Sequence, residues 1–285
     1  KVVTLRSLLK RFWVPHPRFF IIARLVREAD VVNLVNHWSV VVLITYLFCK
    51  FYKKPYFLSP LGSLVIFGRS KTLKRIYNFF IGKRILNKAS GCILATLEEK
   101  KQIQELNLDI KNIYHIPNGV NEGDYKNTDI NTALEKYGIE NNYLLFIGRL
   151  NKIKGPDILL KSFEIVSSEM KNLDLVFIGP DEGLSSELRT LASKSGLLPR
   201  VHMLGYVPLE DKASLIKSSL FLTIPSRKEA MSIVALEAGI LGRPVLLTDV
   251  CGFDEVQRVS GGLVVEPNVN SFSEGLLKLL DKDND

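Results

Sequence analysis

Short apolar runs recur along this chain, and almost every one is followed by a stretch whose apolar residues fall at helical spacing. In the second half "YLLFIGRL" precedes "GPDILLKSFEIVSSEM", and "LDLVFIG" precedes "SSELRTLASKSGL". "VHMLGYV" then precedes "LEDKASLIKSS", and "LFLTIP" precedes "AMSIVALEAGILG". A strand buried on both faces reads as a continuous apolar run, and a parallel neighbour needs a helical crossover. The alternation therefore predicts an α/β chain with parallel sheets. "PVLLTDV" and "GGLVVEP" are two more strands, and "SFSEGLLKLL" is a closing helix. The first half repeats the pattern with "ADVVNL", "PYFLS", "GCILAT" and "IYHIP" as strands and helices over 39–51, 71–86 and "EEKKQIQEL". Two Rossmann-like parallel-sheet domains follow. Ligands of such sheets sit at the carboxyl ends of strands.

Pro, Asn and Gly cluster in "PNGVNEGDYKN", where the charge balance also changes sign. Residues 1–120 hold 20 Lys/Arg against 6 Asp/Glu, and residues 121–285 hold 18 against 24. This places a first domain over 1–117, a linker over 118–141 and a second domain over 142–285. A basic first half suits an anionic membrane surface or an acidic partner, or is simply a solvated face. Arg69, Lys71, Lys74, Arg75, Lys83 and Arg84 would carry a membrane contact. No zinc pattern, RNP aromatics or helix-turn-helix cue points to nucleic acid. Cys49, Cys92 and Cys251 are too scattered for a disulfide framework or a metal site, and suit a reducing compartment. The expected location is cytoplasmic, peripheral at the inner membrane face. The acidic end, 281–285, reads as a disordered tail.

Two segments carry chemistry. "GRLNKIKG", 148–155, puts Arg149 and Lys154 between a strand's carboxyl end and a helix start at Pro156. A forked guanidinium, an ammonium and free helix N–H groups together suit a diphosphate. "EAMSIVALEA", 229–238, puts Glu229 and Glu237 eight residues apart. Eight helical residues turn about 800°, roughly 80° past two full turns. The two carboxylates converge on one ligand only if Glu229 is in the loop and Glu237 on the helix. A carboxylate among "IVAL" and "AGIL" needs donors, which a ribose diol supplies. "SGGLVVEP", with Gly252, Asp254 and Glu255 upstream, reads as a turn before the last strand.

In this order, "IPNGV", "FIGRLNKIKG", "LVFIGP", "LGYV", "EAMSIVALEA", "GRPVLLTDV" and "GGLVVEP" resemble the second domain of the retaining glycosyltransferases of family 4, which have the GT-B fold. The likeness is specific over 116–280. It is weaker over 1–115, where "ADVVNL", "PYFLSPLGSL" and "ASGCILAT" resemble the later part of the first domain.

The resemblance implies sugar transfer from a nucleotide-diphosphate sugar to a glycan or lipid-linked acceptor, with retention of anomeric configuration. It implies Arg149, Lys154 and Glu229 as catalytic residues. Arg149 and Lys154 would bind the diphosphate, and Glu237 the ribose. Glu229 with the backbone of Ala230, Met231, Ser232 and Ile233 would meet the sugar and distal phosphate. Tyr206 and Val207 would lie by the base. No metal and no cofactor are implied, because protein cations and helix ends neutralise the diphosphate. Relatives carry a histidine where "SPLGSL" has Leu61, and neither His37 nor His115 sits in that motif. A glycine-rich loop before Val2 and a helix after the last unit are both expected to be missing, as in a fragment trimmed at both ends. Two alternatives stay open: a nucleotide-sugar-binding remnant without turnover, and a GT-B nucleotide-sugar epimerase.

Overall fold

The structure, a computed structural model, describes residues 2–5, 7–9, 14–15, 19–64, 66, 70–106, 110, 112–126, 128–253 and 255–282. Arg69, Asp254 and 283–285 lie outside them. The chain divides into two compact units, Lys1–Pro117 and Asn118–Asp285.

In the first unit, β1 (Ser7–Leu9) and β2 (Val14–Pro15) form an antiparallel pair. After α1 (Phe20–Glu28) come β3 (Val32–Val35), α2 (Val40–Phe51) and β4 (Tyr56–Ser59). Next are α3 (Lys71–Tyr77), α4 (Lys83–Asn87), β5 (Gly91–Leu94), α5 (Leu97–Glu105) and β6 (Ile113–His115). Strands β3 to β6 make a parallel sheet in sequence order. Ser39 and Thr96 start α2 and α5 by accepting from the backbone N–H groups of Val42 and Glu99. Each such cap contributes about 1 kcal/mol.

The helix read over 71–86 is interrupted. Asn78–Gly82 makes a π turn between α3 and α4. His37, fully buried, packs against this turn, its Nε2 2.8 Å from Asn78 Oδ1. A Cβ on Gly82 would stand 2.8 Å from that nitrogen, so only glycine admits the ring. Burial holds the His37 imidazole below its ordinary pKa, partly offset by the Asn78 bond. His115 is exposed at the end of β6.

In the second unit, α6 (Ile130–Tyr137) leads to β7 (Asn142–Ile147), α7 (Pro156–Val166), β8 (Leu173–Ile178), α8 (Ser185–Lys194) and β9 (Val201–Gly205). It continues with α9 (Leu209–Ser218), β10 (Leu222–Ile224), α10 (Ile233–Ile240), β11 (Val245–Thr248), α11 (Glu255–Arg258), β12 (Gly262–Val265) and α12 (Val269–Lys282). The sheet is parallel throughout, in the order β12-β11-β10-β7-β8-β9. Alternate residues of β7 feed two cores. Leu144 and Phe146 pack with Phe163, Phe272 and Leu276, while Tyr143 and Leu145 pack with Leu215, Ala235 and Leu247.

The stretch read as a linker, 118–141, is built into this unit. It holds a 3₁₀ turn, Glu122–Tyr125, and α6, which Asp129 caps and Gly138 ends in a left-handed conformation. Lys136 and Tyr137 both bind Asp211 of α9, at 2.6 and 2.9 Å.

Candidate functional site

Strand β7 lies inside the second sheet. The chain leaves it toward β8 and β9 on one side and returns toward β10, β11 and β12 on the other. Such a reversal opens a crevice outside the carboxyl ends of the strands. The loops that follow β7 and β10 meet there. Gly155 has φ +71°, and a Cβ on it would stand 2.0 Å from the carbonyl oxygen of Pro225. Arg227 fastens the same two loops. Its guanidinium donates to both oxygens of Asp157, each at 2.8 Å, and to the carbonyl of Lys152 at 2.7 Å. Its backbone N–H donates to Ile153 O. Burial pushes the Asp157 carboxyl up, but the bonds and charge of Arg227 outweigh it and hold the group below the usual range.

That fastening sets Lys154 against Glu229. Lys154 Nζ is 2.6 Å from each Glu229 oxygen, and Ser226 Oγ donates to Oε2 at 3.1 Å. Glu229 lies in the loop, its N–H donating to Val250 O. Arg149 goes elsewhere. It donates to Glu182 at 3.0 and 3.2 Å, beside Asn151, which donates at 2.7 Å. The Asn151 and Arg149 bonds lower the Glu182 pKa. Arg149 and Lys154 are thus already ion-paired, as is Lys152 between them, with Glu187 and Asp157.

Helix α10 starts at Ile233, three residues later than "AMSIVALEAGILG" suggested, because Ala230, Met231 and Ser232 stay in the approaching loop. Ser232 is the cap residue, with extended backbone, yet its buried Oγ makes no hydrogen bond. Met231 is buried and Ile233 exposed. Glu237 sits mid-helix and is 6% exposed. Lys212 of α9 donates to its Oε1 at 2.9 Å and stands equally close to Oε2. The Tyr125 phenol is pushed up by burial and by the neighbouring Glu237 carboxylate. Tyr206 and Val207 follow β9, the first 83% exposed and the second buried.

Sequence reasoning did not find Lys212, Ser226, Glu182 or the Arg227–Asp157 pair. Lys212 lies on an ordinary amphipathic helix with no local signal. A doublet of opposite charge across "KGPD" and "SRK" was the one available hint. A surface cavity of about 650 Å³, lined by Leu236, Arg243 and Val259 among others, opens near the start of β11. It lies at the opposite end of that strand from the crevice. In the first unit, Leu61 follows β4, half-exposed at φ +47°, a left-handed conformation that strains a large side chain.

Among the described residues no group of three His, Cys, Asp or Glu is placed to hold a metal ion. No described helix is long and apolar enough to cross a membrane.

The family model described as "Glycosyl transferases group 1" matches residues 129–285. The chain belongs to the group 1 glycosyl transferases. It is 28% identical over 213 residues to a D-inositol 3-phosphate glycosyltransferase of Nocardia farcinica, covering 70% of this chain and 47% of that one. An uncharacterised glycosyltransferase of Methanocaldococcus jannaschii is 31% identical over 182 residues, 60% of this chain and 45% of that one. The chain spans about half the length of the curated relatives it matches. Among solved structures, Anabaena HepE in complex with UDP superposes with TM-score 0.79 at 18% identity, over 99% of this chain and 77% of that one. WaaG, a glycosyltransferase involved in lipopolysaccharide biosynthesis, superposes with TM-score 0.72 at 20% identity, over 99% and 77%. These group 1 likenesses establish the fold as GT-B, with two parallel-sheet α/β units.

Proposed function

We propose that this chain holds the donor site of a glycosyltransferase that takes a nucleotide-diphosphate sugar and transfers the sugar with retention, without a metal ion. One observation carries the reading: Glu237 is a buried carboxylate, held by the Lys212 ammonium at 2.9 Å, on the helix that follows the Glu229 loop. A carboxylate accepts several hydrogen bonds, so Glu237 beside one ammonium keeps acceptor capacity that ribose hydroxyls can use. Anabaena HepE, solved in complex with UDP and in complex with UDP-glucose, supports the same donor class.

In this reading Arg149 and Lys154 take the diphosphate, and Glu237 takes the ribose. Glu229 and the backbone of Ala230, Met231, Ser232 and Ile233 meet the sugar and distal phosphate, while Tyr206 and Val207 border the base. The bond from the anomeric carbon to phosphate oxygen breaks with its electron pair going to the diphosphate. Cations aimed at that developing charge lower the barrier. The acceptor hydroxyl attacks from the same face, passes its proton to the departing phosphate oxygen, and forms the new glycosidic bond. The acceptor is a glycan or a lipid-linked sugar, and the basic first unit faces an anionic membrane from the cytoplasmic side.

Calorimetry of UDP, GDP and ADP binding to wild type, Glu237→Ala and Arg149→Ala tests the site. Each substitution is expected to weaken binding about tenfold, in line with loss of a charge-assisted hydrogen bond. Unchanged affinity in both would sink the assignment.

A further inference from the structure

The helical stretch 71–88 has an inner and an outer face with different chemistry. Inward, Tyr77 and Asn78 contact His37, and Lys74 Nζ stands 5.4 Å from the centre of the Trp38 ring. Ile85 and Leu86 are buried in the core of the unit. These contacts fix which way the other face points. Outward, Leu73 is 52% exposed, Ile76 50%, Phe79 77% and Phe80 58%. The π turn places Phe79 and Phe80 side by side, their ring centres 5.0 Å apart. Large side chains standing in water at neighbouring positions mark an interaction surface.

The charge around them selects the partner. From 71 to 88 the chain holds six Lys/Arg and no Asp or Glu. Over the longer interval between Asp30 and Glu98 there are ten Lys/Arg and no acid at all. Lys71, Arg75, Lys83, Arg84 and Lys88 are exposed around the apolar residues. A protein partner would have to be strongly acidic and apolar in the same small patch. A bilayer with anionic headgroups has that combination by construction: it takes aromatic side chains at the interface and pairs cations with phosphates. None of the described helices is long enough to span the membrane, so the contact is with its surface.

We propose that the outer face of 71–88 docks on an anionic lipid surface, with Phe79 and Phe80 entering the interface and the surrounding cations holding the headgroups. This deepens the lipid-linked acceptor reading above and rests on it for its purpose, but not for its test.

Flotation of the full chain with vesicles decides it. Wild type is expected to float with vesicles containing phosphatidylglycerol, and to lose most of that binding on phosphatidylcholine alone or at high salt. Phe79→Ser with Phe80→Ser should lower the partition coefficient about tenfold or more. Lys83→Glu with Arg84→Glu should lower it to a similar degree. The substituted side chains are exposed, so circular dichroism and UDP affinity should stay at wild-type values. Wild type that ignores phosphatidylglycerol, or a Phe79/Phe80 variant that floats as well as wild type, overturns the proposal. So does a dimer in sedimentation equilibrium that the same variant dissociates, since a second copy would then cover the face. Absence of UDP binding in wild type would remove the donor reading while flotation still decides the docking.

Discussion

Arg149 and Lys154 leave the same strand five residues apart, and the fold treats them differently. Arg149 reaches outward to Glu182, and both side chains are about half exposed, at 53% and 41%. Lys154 reaches inward to Glu229, with exposures of 22% and 15%. Exposed pairs contribute little, because water and salt screen them and two long side chains must be ordered. A shielded pair is different: removing one partner strands the other charge. The sequence presents the two cations as equivalent members of one clamp. Burial separates them into an exchangeable cation and a fixed one. In the proposed donor site Arg149 exchanges Glu182 for the diphosphate at low cost, whereas Lys154 meets the diphosphate while still paired with Glu229.

The largest test of that contrast is Lys154→Ala. It should destabilise the second unit by about 2 kcal/mol in urea unfolding, because Glu229 loses its counter-charge. Lys154→Met combined with Glu229→Gln should regain most of the loss. A double variant as unstable as the single one would break the contrast.

Arg227→Lys comes next, at about 1.5 kcal/mol, since an ammonium cannot serve both Asp157 oxygens and the Lys152 carbonyl. The same pair shapes the acid limb. The Asp157 pKa is lowered on folding from an ordinary 3.8, so its stabilisation is full above that value. It is lost as the pH falls through the lower folded value. Asp157→Asn should flatten stability against pH in that window.

Glu182→Gln should be the smallest, within about 0.5 kcal/mol of wild-type stability. Its effect belongs in binding: UDP affinity should rise a few-fold at low salt as Arg149 is released, and the gain should shrink at high salt.

How far the sequence reached follows from range. The strands of both sheets were legible because a buried parallel strand writes a continuous apolar run, as in "LDLVFI", all six residues of which are buried. The loop position of Glu229 followed from helix arithmetic joined to the requirement that both carboxylates meet one ligand. The interruption at Asn78–Gly82 was not legible, because the side chain packed against it, His37, lies some forty positions upstream, a separation that no local period records. Lys212 was invisible for the same reason: its partner Glu237 lies 25 residues on, with β10 between them. The later start of α10 was obscured because "AMSIVAL" has good helix formers on both sides of the true cap at Ser232.

The anchoring of α6 on α9 has a consequence for dissecting the gene. A split placed at the strand boundary, just before Asn142, would discard Ala133 and Ile139 from the second unit's core. It would also release Asp211 from Lys136 and Tyr137. A split between the codons for Pro117 and Asn118 keeps that helix with the sheet it covers. Limited proteolysis should find the same seam, with the first stable fragment beginning near Asn118 rather than at β7.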